Sequence, residues 1–417
     1  MNTTRRTSVK ITCGIDWAEN HHDVVLVDQN GTLVAKRRIA ETVDGFNELL
    51  TMLAEAGDGA GESIPVAIET PRGLLVAALR ATGRKVYSIN PMAVARYRER
   101  YSFSGKKSDH ADAMVLANIL RTDAHVHRPL PADTELVRSI AVLARACQDA
   151  TWRRTRASNE MRSLLREYYP AMLEIAAARK GNLTSAVVRA VLQLARYPAA
   201  AAKLTKTQIA AALRRAGRVR GVEELAAEIK EVLRRPQLRH APMVEEAMGA
   251  QALRLLATLN IECDSVDELA EAALAGFQKH PDYEVITSFP GLGDLSGARV
   301  LAELGDDRDR FTNARCLKAY AGSAPVTRAS GRSQLITHRR VKNDRLAGAG
   351  FTWAFAALRS SPGARAHYDR RRSTGDRHAA ALRHLFNRFL GCLYHCLQTR
   401  QCYSESAAFG TQLEAAA

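Results

Sequence analysis

Two aspartates, Asp109 and Asp112, stand three residues apart where an apolar stretch begins in SGKKSDHADAMVLANIL, residues 104–120. Three residues make about one helical turn, so both carboxylates leave a helix on the same face. Two readings compete. An Asp at a helix start accepts backbone N–H bonds and suits the helix dipole. Two carboxylates on one face are also half of a site for a hard divalent cation. Lys106 and Lys107, just before them, are either a solvated basic turn or contacts to a nucleic-acid backbone.

Two more acids sit at the ends of apolar runs: Asp16 in GID and Glu69 in AIET. The pattern that must position them reads as follows. Residues 9–38 alternate as a three-stranded meander, 42–56 as a helix, 65–70 as a short buried strand, 72–83 as a helix and 85–90 as a strand, with a further helix from near Ser108. The order βββαβαβα is a mixed α/β layer. In such a sheet strands one and four can lie side by side, as in ribonuclease-H-like folds. Their ends then hold Asp16 and Glu69 together, and a helix on the sheet can bring Asp109 and Asp112 to them. At roughly 6 Å and an effective dielectric of about 20, each carboxylate pair costs roughly 3 kcal/mol. Without cations some of the acids would protonate. Mg²⁺ offsets the charge, and paired metals are suited to displacement at phosphorus. Sugar kinases and actin-like ATPases share the strand-Asp-turn-strand opening. Their first turn cradles phosphate with small residues, however, whereas WAENHH here is bulky and lacks glycine.

Beyond the acids, Leu136, Ile140, Leu143, Cys147, Ala150, Ala157, Met161, Leu164 and Tyr168 follow a 4,3 spacing broken only by Arg154. This predicts a long helix ended by Pro170, either a coiled-coil arm or a helix packed on its own domain. Residues 171–245 are Ala/Arg/Glu-rich and helical, and 246–279 read as a returning arm. In FPGLGDLSG (289–297), Pro290, Gly291 and Gly293 make a tight turn between helices. It is either a plain αα turn or a helix-hairpin-helix that grips phosphate through free amides. GSAPVTRASGRSQ (322–334) reads as a loop in which Ser330 lies between Arg328 and Arg332; Arg339 and Arg340 follow in HRRVKNDR. A serine hydroxyl attacks phosphorus if its proton is removed and cations neutralise the phosphate, although a loop serine is ordinarily a turn hydroxyl. Cys392, His395, Cys396 and Cys402 could in principle hold zinc, but apolar packing of the cysteines is the simpler reading. A last helix covers about 376–400, and the tail SAAFGTQLEAAA reads as frayed.

The bulk numbers agree with a nucleic-acid partner. The 417 residues carry 60 Lys and Arg against 44 Asp and Glu, a net charge of +16. Seven cysteines without CxxC pairs fit a reducing compartment, and no signal-peptide core or membrane-length apolar run is present. A soluble, cytoplasmic protein is expected.

At GIDWAENHHDVVLVD, AIET and KKSDHADA the chain resembles the DEDD domain of insertion-sequence transposases, related to the RuvC Holliday-junction resolvase. From FPGLGDLSGARVLAELGD to AYAGSAPVTRASG it resembles their second, transposase domain. This is the insertion-sequence 110 group. The resemblance implies a ribonuclease-H-like (RuvC-like) α/β domain at 9–130, an all-α coiled-coil region at 131–280, a small helical transposase domain with helix-hairpin-helix and serine loop at 281–372, and a C-terminal helix and tail at 373–417. It implies that Asp16, Glu69, Asp109 and Asp112 ligate Mg²⁺. It also implies that Ser330, with Ser323 as the fallback, joins covalently to DNA in a composite site between subunits. The expected partners are DNA, a structured bridge RNA and further copies of the chain, as dimers meeting in tetramers through the arms. Residues 171–245 depart from the family pattern by their length and their Ala/Arg content. A junction nuclease using the acids alone, or a non-catalytic nucleic-acid scaffold, would share many of these features.

Overall fold

The computed structural model describes residues 10–59, 62–101, 109–179 and 182–413. Lys106, Lys107 and the expected helix start at Ser108 lie outside them. The chain divides into two compact units, residues 1–132 and 133–417.

In the first unit the meander forms as read: β1 Thr12–Trp17, β2 His21–Val27 and β3 Leu33–Ala40. Asp28 fixes the β2–β3 turn by accepting from the amides of Asn30 and Thr32 at 2.8 Å each. There follow α1 Val43–Glu55, β4 Val66–Ile68, α2 Leu74–Ala81, β5 Val86–Ser88, α3 Pro91–Tyr101 and α4 Asp109–Asp123. The helix α3 was not anticipated, because charged residues such as Arg96, Arg98 and Glu99 leave its sequence no clear apolar stripe. The sheet order is β3-β2-β1-β4-β5, with β1 and β4 parallel. Strands one and four are therefore neighbours, the ribonuclease-H-like arrangement. Edge strand β3 is mostly exposed and carries Lys36, Arg37 and Arg38, which discourage further strand pairing.

Helix α4 lies directly on β1. A Cβ built on Gly14 would come within 2.0 Å of the Ala113 carbonyl oxygen and 2.4 Å of the Ala117 amide. The Thr12 hydroxyl, one residue from Cys13 on the same strand, donates to the Ala117 carbonyl at 2.9 Å. Glycine facing alanine thus lets helix and strand backbones touch, and it sets how far the first turn of α4 sits from the end of β1.

The second unit is helical apart from one hairpin. Its elements are α5 Glu135–Tyr168, α6 Pro170–Ala177, α7 Ala186–Leu194, α8 Pro198–Ala201, α9 Lys206–Arg215, α10 Val222–Arg234, α11 Pro242–Phe277, α12 Tyr283–Thr287, α13 Asp294–Leu304, α14 Ala314–Tyr320, β6 Val326–Ser330, β7 Ser333–Thr337, α15 Asp344–Ala357, α16 Pro362–Ser373, α17 His378–Thr399 and α18 Glu405–Leu413. The long helices α5 and α11 run antiparallel within one chain: Ile140 meets Gly276, Cys147 meets Val266, and Ala157 meets Leu259 and Cys263. On α11 the buried positions Glu245, Gly249, Ala252, Leu256, Leu259, Cys263 and Val266 alternate by four and three. The 4,3 stripe of α5 is therefore covered by the chain's own returning helix. The Ala/Arg-rich segment folds into α6–α10 around a core that includes Tyr168, Met172, Val191, Leu213 and Ile229.

The helices from 283 onward share one core, in which Phe289, Trp353, Phe386 and Phe389 pack together. The expected boundary at 372/373 falls inside that core. Two expectations are corrected here. The tail is not frayed through residue 413, because Phe409 on α18 is fully buried against Phe389. The serine segment is not an irregular loop but the two-stranded hairpin β6–β7. Cys392 and Cys396 pack against the apolar core, and burial pushes both thiols above their ordinary pKa. No helix among the described residues is long and apolar enough to cross a membrane.

Gly14→Ala should destabilise the protein by roughly 1–3 kcal/mol, since the added methyl meets backbone rather than a movable side chain. Urea unfolding of the two proteins checks this, and equal midpoints would contradict the close approach of α4 to β1.

Candidate active site

The local chemistry starts at the β1–β2 turn. Three residues, Ala18–Asn20, connect the strands, and the register sets Asp16 directly opposite Asp23. Like charges facing each other across a ladder repel. Asp23 is 1% exposed and satisfied: Arg38, its partner on β3, donates to its carboxylate through Nε at 3.1 Å and Nη2 at 2.8 Å. His110 Nδ1 lies 2.5 Å from its Oδ1, the oxygen that also accepts from Arg38 Nε. Arg38 also reaches Asp109 at 3.1 Å.

Glu69 follows the last residue of β4, beside β1, and α4 supplies Asp109 and Asp112 from its first turn. Asp112 is buried and paired with Arg98 of α3 at 2.5 Å, whereas the Asp109 side chain is 57% exposed. The four acids singled out in the sequence, together with Asp23, His21 and Arg98, line one cavity of about 480 Å³. Asp16 registers the crowding. Burial, then the charges of Asp112, Glu69, Asp109 and Asp23, raise its pKa to about 6. Ligand atoms of His21, Asp23 and Asp109 lie within 4.8 Å of one another, close enough to share an ion.

Sequence reasoning thus assembled four of the carboxylates but missed Asp23, His21, Arg38, Arg98 and His110. The signal for Asp23 was present. Starting β2 two residues earlier, at His21, places Asp23 on the same face as Asp16. The donor set is rich in carboxylate oxygen with one imidazole, which suits Mg²⁺ or Mn²⁺. The raised pKa of Asp16 marks a place where a cation is favoured, so these residues fit a divalent ion.

In the second unit, Ser330 pairs with Ser333 at the tip of the hairpin, across a turn formed by Gly331, at φ +56°, and Arg332. Ser330, Arg328, Arg332 and Arg340 are exposed, and Arg339 is half-buried. Ser323 is different. It is 4% exposed, its hydroxyl donates to the Lys318 carbonyl at 3.2 Å, and it accepts from Asn387 at 3.1 Å. Gly291, at φ +79°, abuts α15: a Cβ there would lie 2.5 Å from the Ala357 amide. Its glycine is accounted for by packing. Gly293 is exposed at the start of α13, but the carboxylate of Asp294 occupies the first turn, accepting from the Tyr283 hydroxyl at 2.9 Å.

Comparison with known proteins finds two matching regions. A family model described as transposase, of the DEDD type, matches residues 13–170. A second, described as the transposase IS116/IS110/IS902 family, matches residues 283–369. The mini-circle putative transposase for IS117 of Streptomyces coelicolor is 58% identical over 410 residues, covering 98% of this chain and 99% of that protein. The 43.6 kDa protein of insertion element IS110 from the same species is 31% identical, covering 81% of each chain. The 42 kDa protein of insertion element IS900 from Mycobacterium paratuberculosis is 29% identical, covering 94% of this chain and 96% of that one. With near-complete coverage at this identity, and with both family regions in order, the chain belongs to the IS116/IS110/IS902 family of transposases, enzymes that cleave and transfer DNA strands.

Proposed function

We propose that this transposase holds Mg²⁺ with Asp16, Glu69, Asp109 and Asp112 and joins itself to DNA through Ser330. We propose further that it is directed by a structured bridge RNA and acts as a dimer that meets another in a tetramer. The observation that carries the metal reading is the shared cavity with its elevated Asp16 pKa. Asp23 and His21 join the ligand set or hold it from behind. When bound, the ions supply Lewis-acid charge at a phosphate oxygen.

Exposure separates the two serines. The hydroxyl of Ser323 is committed in both directions, whereas Ser330 stands at an exposed tip between two arginines. Its Oγ forms a bond to phosphorus as the bond from phosphorus to a deoxyribose oxygen breaks. The Oγ proton leaves to solvent or a carboxylate, and the departing oxygen takes up a proton. Arg328 and Arg332 neutralise the phosphate. A second attack, by a deoxyribose hydroxyl on the serine ester, rejoins DNA and frees Ser330 without an external energy source. The guide RNA and the assembly follow from the resemblance to the insertion-sequence 110 group, and the net charge of +16 is compatible with both nucleic acids.

Ser330→Ala should abolish a covalent protein–DNA band on denaturing gels, while Ser323→Ala leaves it. Continued cutting by Ser330→Ala would mark a metal-only nuclease instead. Asp109→Asn and Asp112→Asn should each slow cleavage by more than about a hundredfold, beyond the usual loss on removing a residue that merely supports a ligand. Wild-type cleavage by both would sink the acidic site and leave a binding scaffold.

The apo protein offers a further check. The folded-state pKa of Asp16 lies above the ordinary carboxyl value of 3.8, so the folded state holds a proton the unfolded state lacks between pH 4 and about 6. The associated stability is present at low pH and is lost as pH rises through 6. In EDTA the Tm should therefore fall over this window in the wild type and less so in Asp16→Asn. At pH 7.5 the variant should melt higher than the wild type while being inactive.

A further inference from the structure

Helix α15 has two faces of the same chemistry where one would suffice. Its inner face buries Leu346, Trp353, Ala354 and Ala357 in the core. Its outer face runs Gly348, Phe351, Phe355, an i, i+3, i+7 stripe, and Arg359 follows in the turn beyond the helix. Phe351 is 44% exposed and Phe355 51% exposed, and nothing lies within 4 Å of a Cβ placed on Gly348. The imidazole of His378, at the start of α17, stands edge-on to both phenyl rings at 6.1 Å, steadied by a 2.7 Å hydrogen bond with the Tyr368 hydroxyl.

The surroundings are cationic. Phe351 shares a cavity of about 200 Å³ with His338, Arg339, Lys342 and Arg383. The Nε of Arg339 is shielded from solvent and has no hydrogen-bond partner among the described residues. Two exposed phenyl rings framed by arginines match a platform for unpaired bases, which stack on aromatic faces while cations track the backbone. A second copy of this chain would bring the same positive ring against itself, so self-association is disfavoured there.

The place on the fold fits that use. His338 follows the last residue of β7, so the cavity borders the base of the hairpin whose tip carries Ser330. Base and tip are four residue steps apart, roughly 13 Å at about 3.3 Å per residue. This is about four stacked base steps of one strand at roughly 3.4 Å each. Strand transfer requires bases beside the break to leave their old partners before they gain new ones.

We propose that Phe351 and Phe355, with Arg339 and Arg383, form a stacking platform for an unpaired DNA strand near the hairpin. The nearness to the scissile phosphate rests on the reading of Ser330 as nucleophile; the platform itself does not.

The test uses the full-length protein and a single-stranded DNA oligonucleotide carrying 2-aminopurine, whose fluorescence is quenched on stacking. The wild type should quench it on binding. Phe351→Ser/Phe355→Ser should lose the quench and bind about tenfold more weakly, while affinity for a duplex stays within about twofold. Phe351→Tyr/Phe355→Trp should retain both signals. Equal binding by wild type and the serine variant overturns the proposal. So does a preference for the matching RNA oligonucleotide that depends on the two rings, or a change in sedimentation showing that the rings hold two copies together. The covalent-band assay on Ser330→Ala is a separate measurement. If it fails while the quench behaves as expected, the platform stands and the serine chemistry does not.

Discussion

Repulsion among carboxylates at one end of a sheet is the constraint around which the first unit is arranged. Pairing β1 with β2 in the observed register forces Asp16 against Asp23, and the parallel neighbour β4 adds Glu69. Contact at Gly14 then delivers the first turn of α4, with two more acids. A sequence under selection for stability alone would not gather five carboxylates around one cavity. The fold tolerates them by placing a guanidinium on each flank, Arg38 from β3 and Arg98 from α3, and by anchoring the strands in a core of Ile15, Val24, Leu26 and Ile68. Local conflict held in place by global packing is expected where a site is built for something absent from the apo chain.

Much of this was legible in the sequence because short apolar runs bounded by turn residues mark strands. The meander and the buried strand at 66–68 follow from such runs, and the likeness of the βββαβα order to ribonuclease-H-like folds sets strands one and four side by side, which brings Asp16 and Glu69 together. What stayed hidden lacked a periodic signal. The start of β2 at His21 is polar, so the strand was read two residues short and Asp23 lost its place opposite Asp16. The hairpin β6–β7 is exposed along nearly its whole length, so neither face shows an apolar row. Its sign was the turn instead: Gly331 followed by Arg332 between two serines, a two-residue connection with glycine at the position needing positive φ. The final helix was missed because small and polar residues dominate it, and its one aromatic anchor, Phe409, is too little to mark a stripe.

The second unit handles polar groups in a contrasting way. Some polar groups that serve structure there are held from both sides. Ser323 is bonded on both sides, and Arg145 and Asn343 converge on the buried carboxylate of Glu303 at 2.7 Å each. The residues proposed for chemistry are the reverse: Ser330, Arg328 and Arg332 are exposed on the hairpin. A hairpin is stiffer than a loop of equal length, so the proposed nucleophile Ser330 at its tip would lose less entropy in reaching a fixed geometry.

Charge balance ties the metal to the substrate. Asp16, Asp23, Glu69, Asp109 and Asp112 carry five negative charges when ionised, and Arg38 and Arg98 return two that no pH near neutrality removes. One divalent ion would leave the cavity one charge negative, which a phosphodiester anion would worsen. Two divalent ions would leave it one charge positive, and a single phosphodiester closes the balance. The second ion and the DNA should therefore favour each other, as linked ligands must. On the proposed metal reading, the two arginines, by lowering the residual charge, would keep the cavity from holding two ions tightly before DNA arrives.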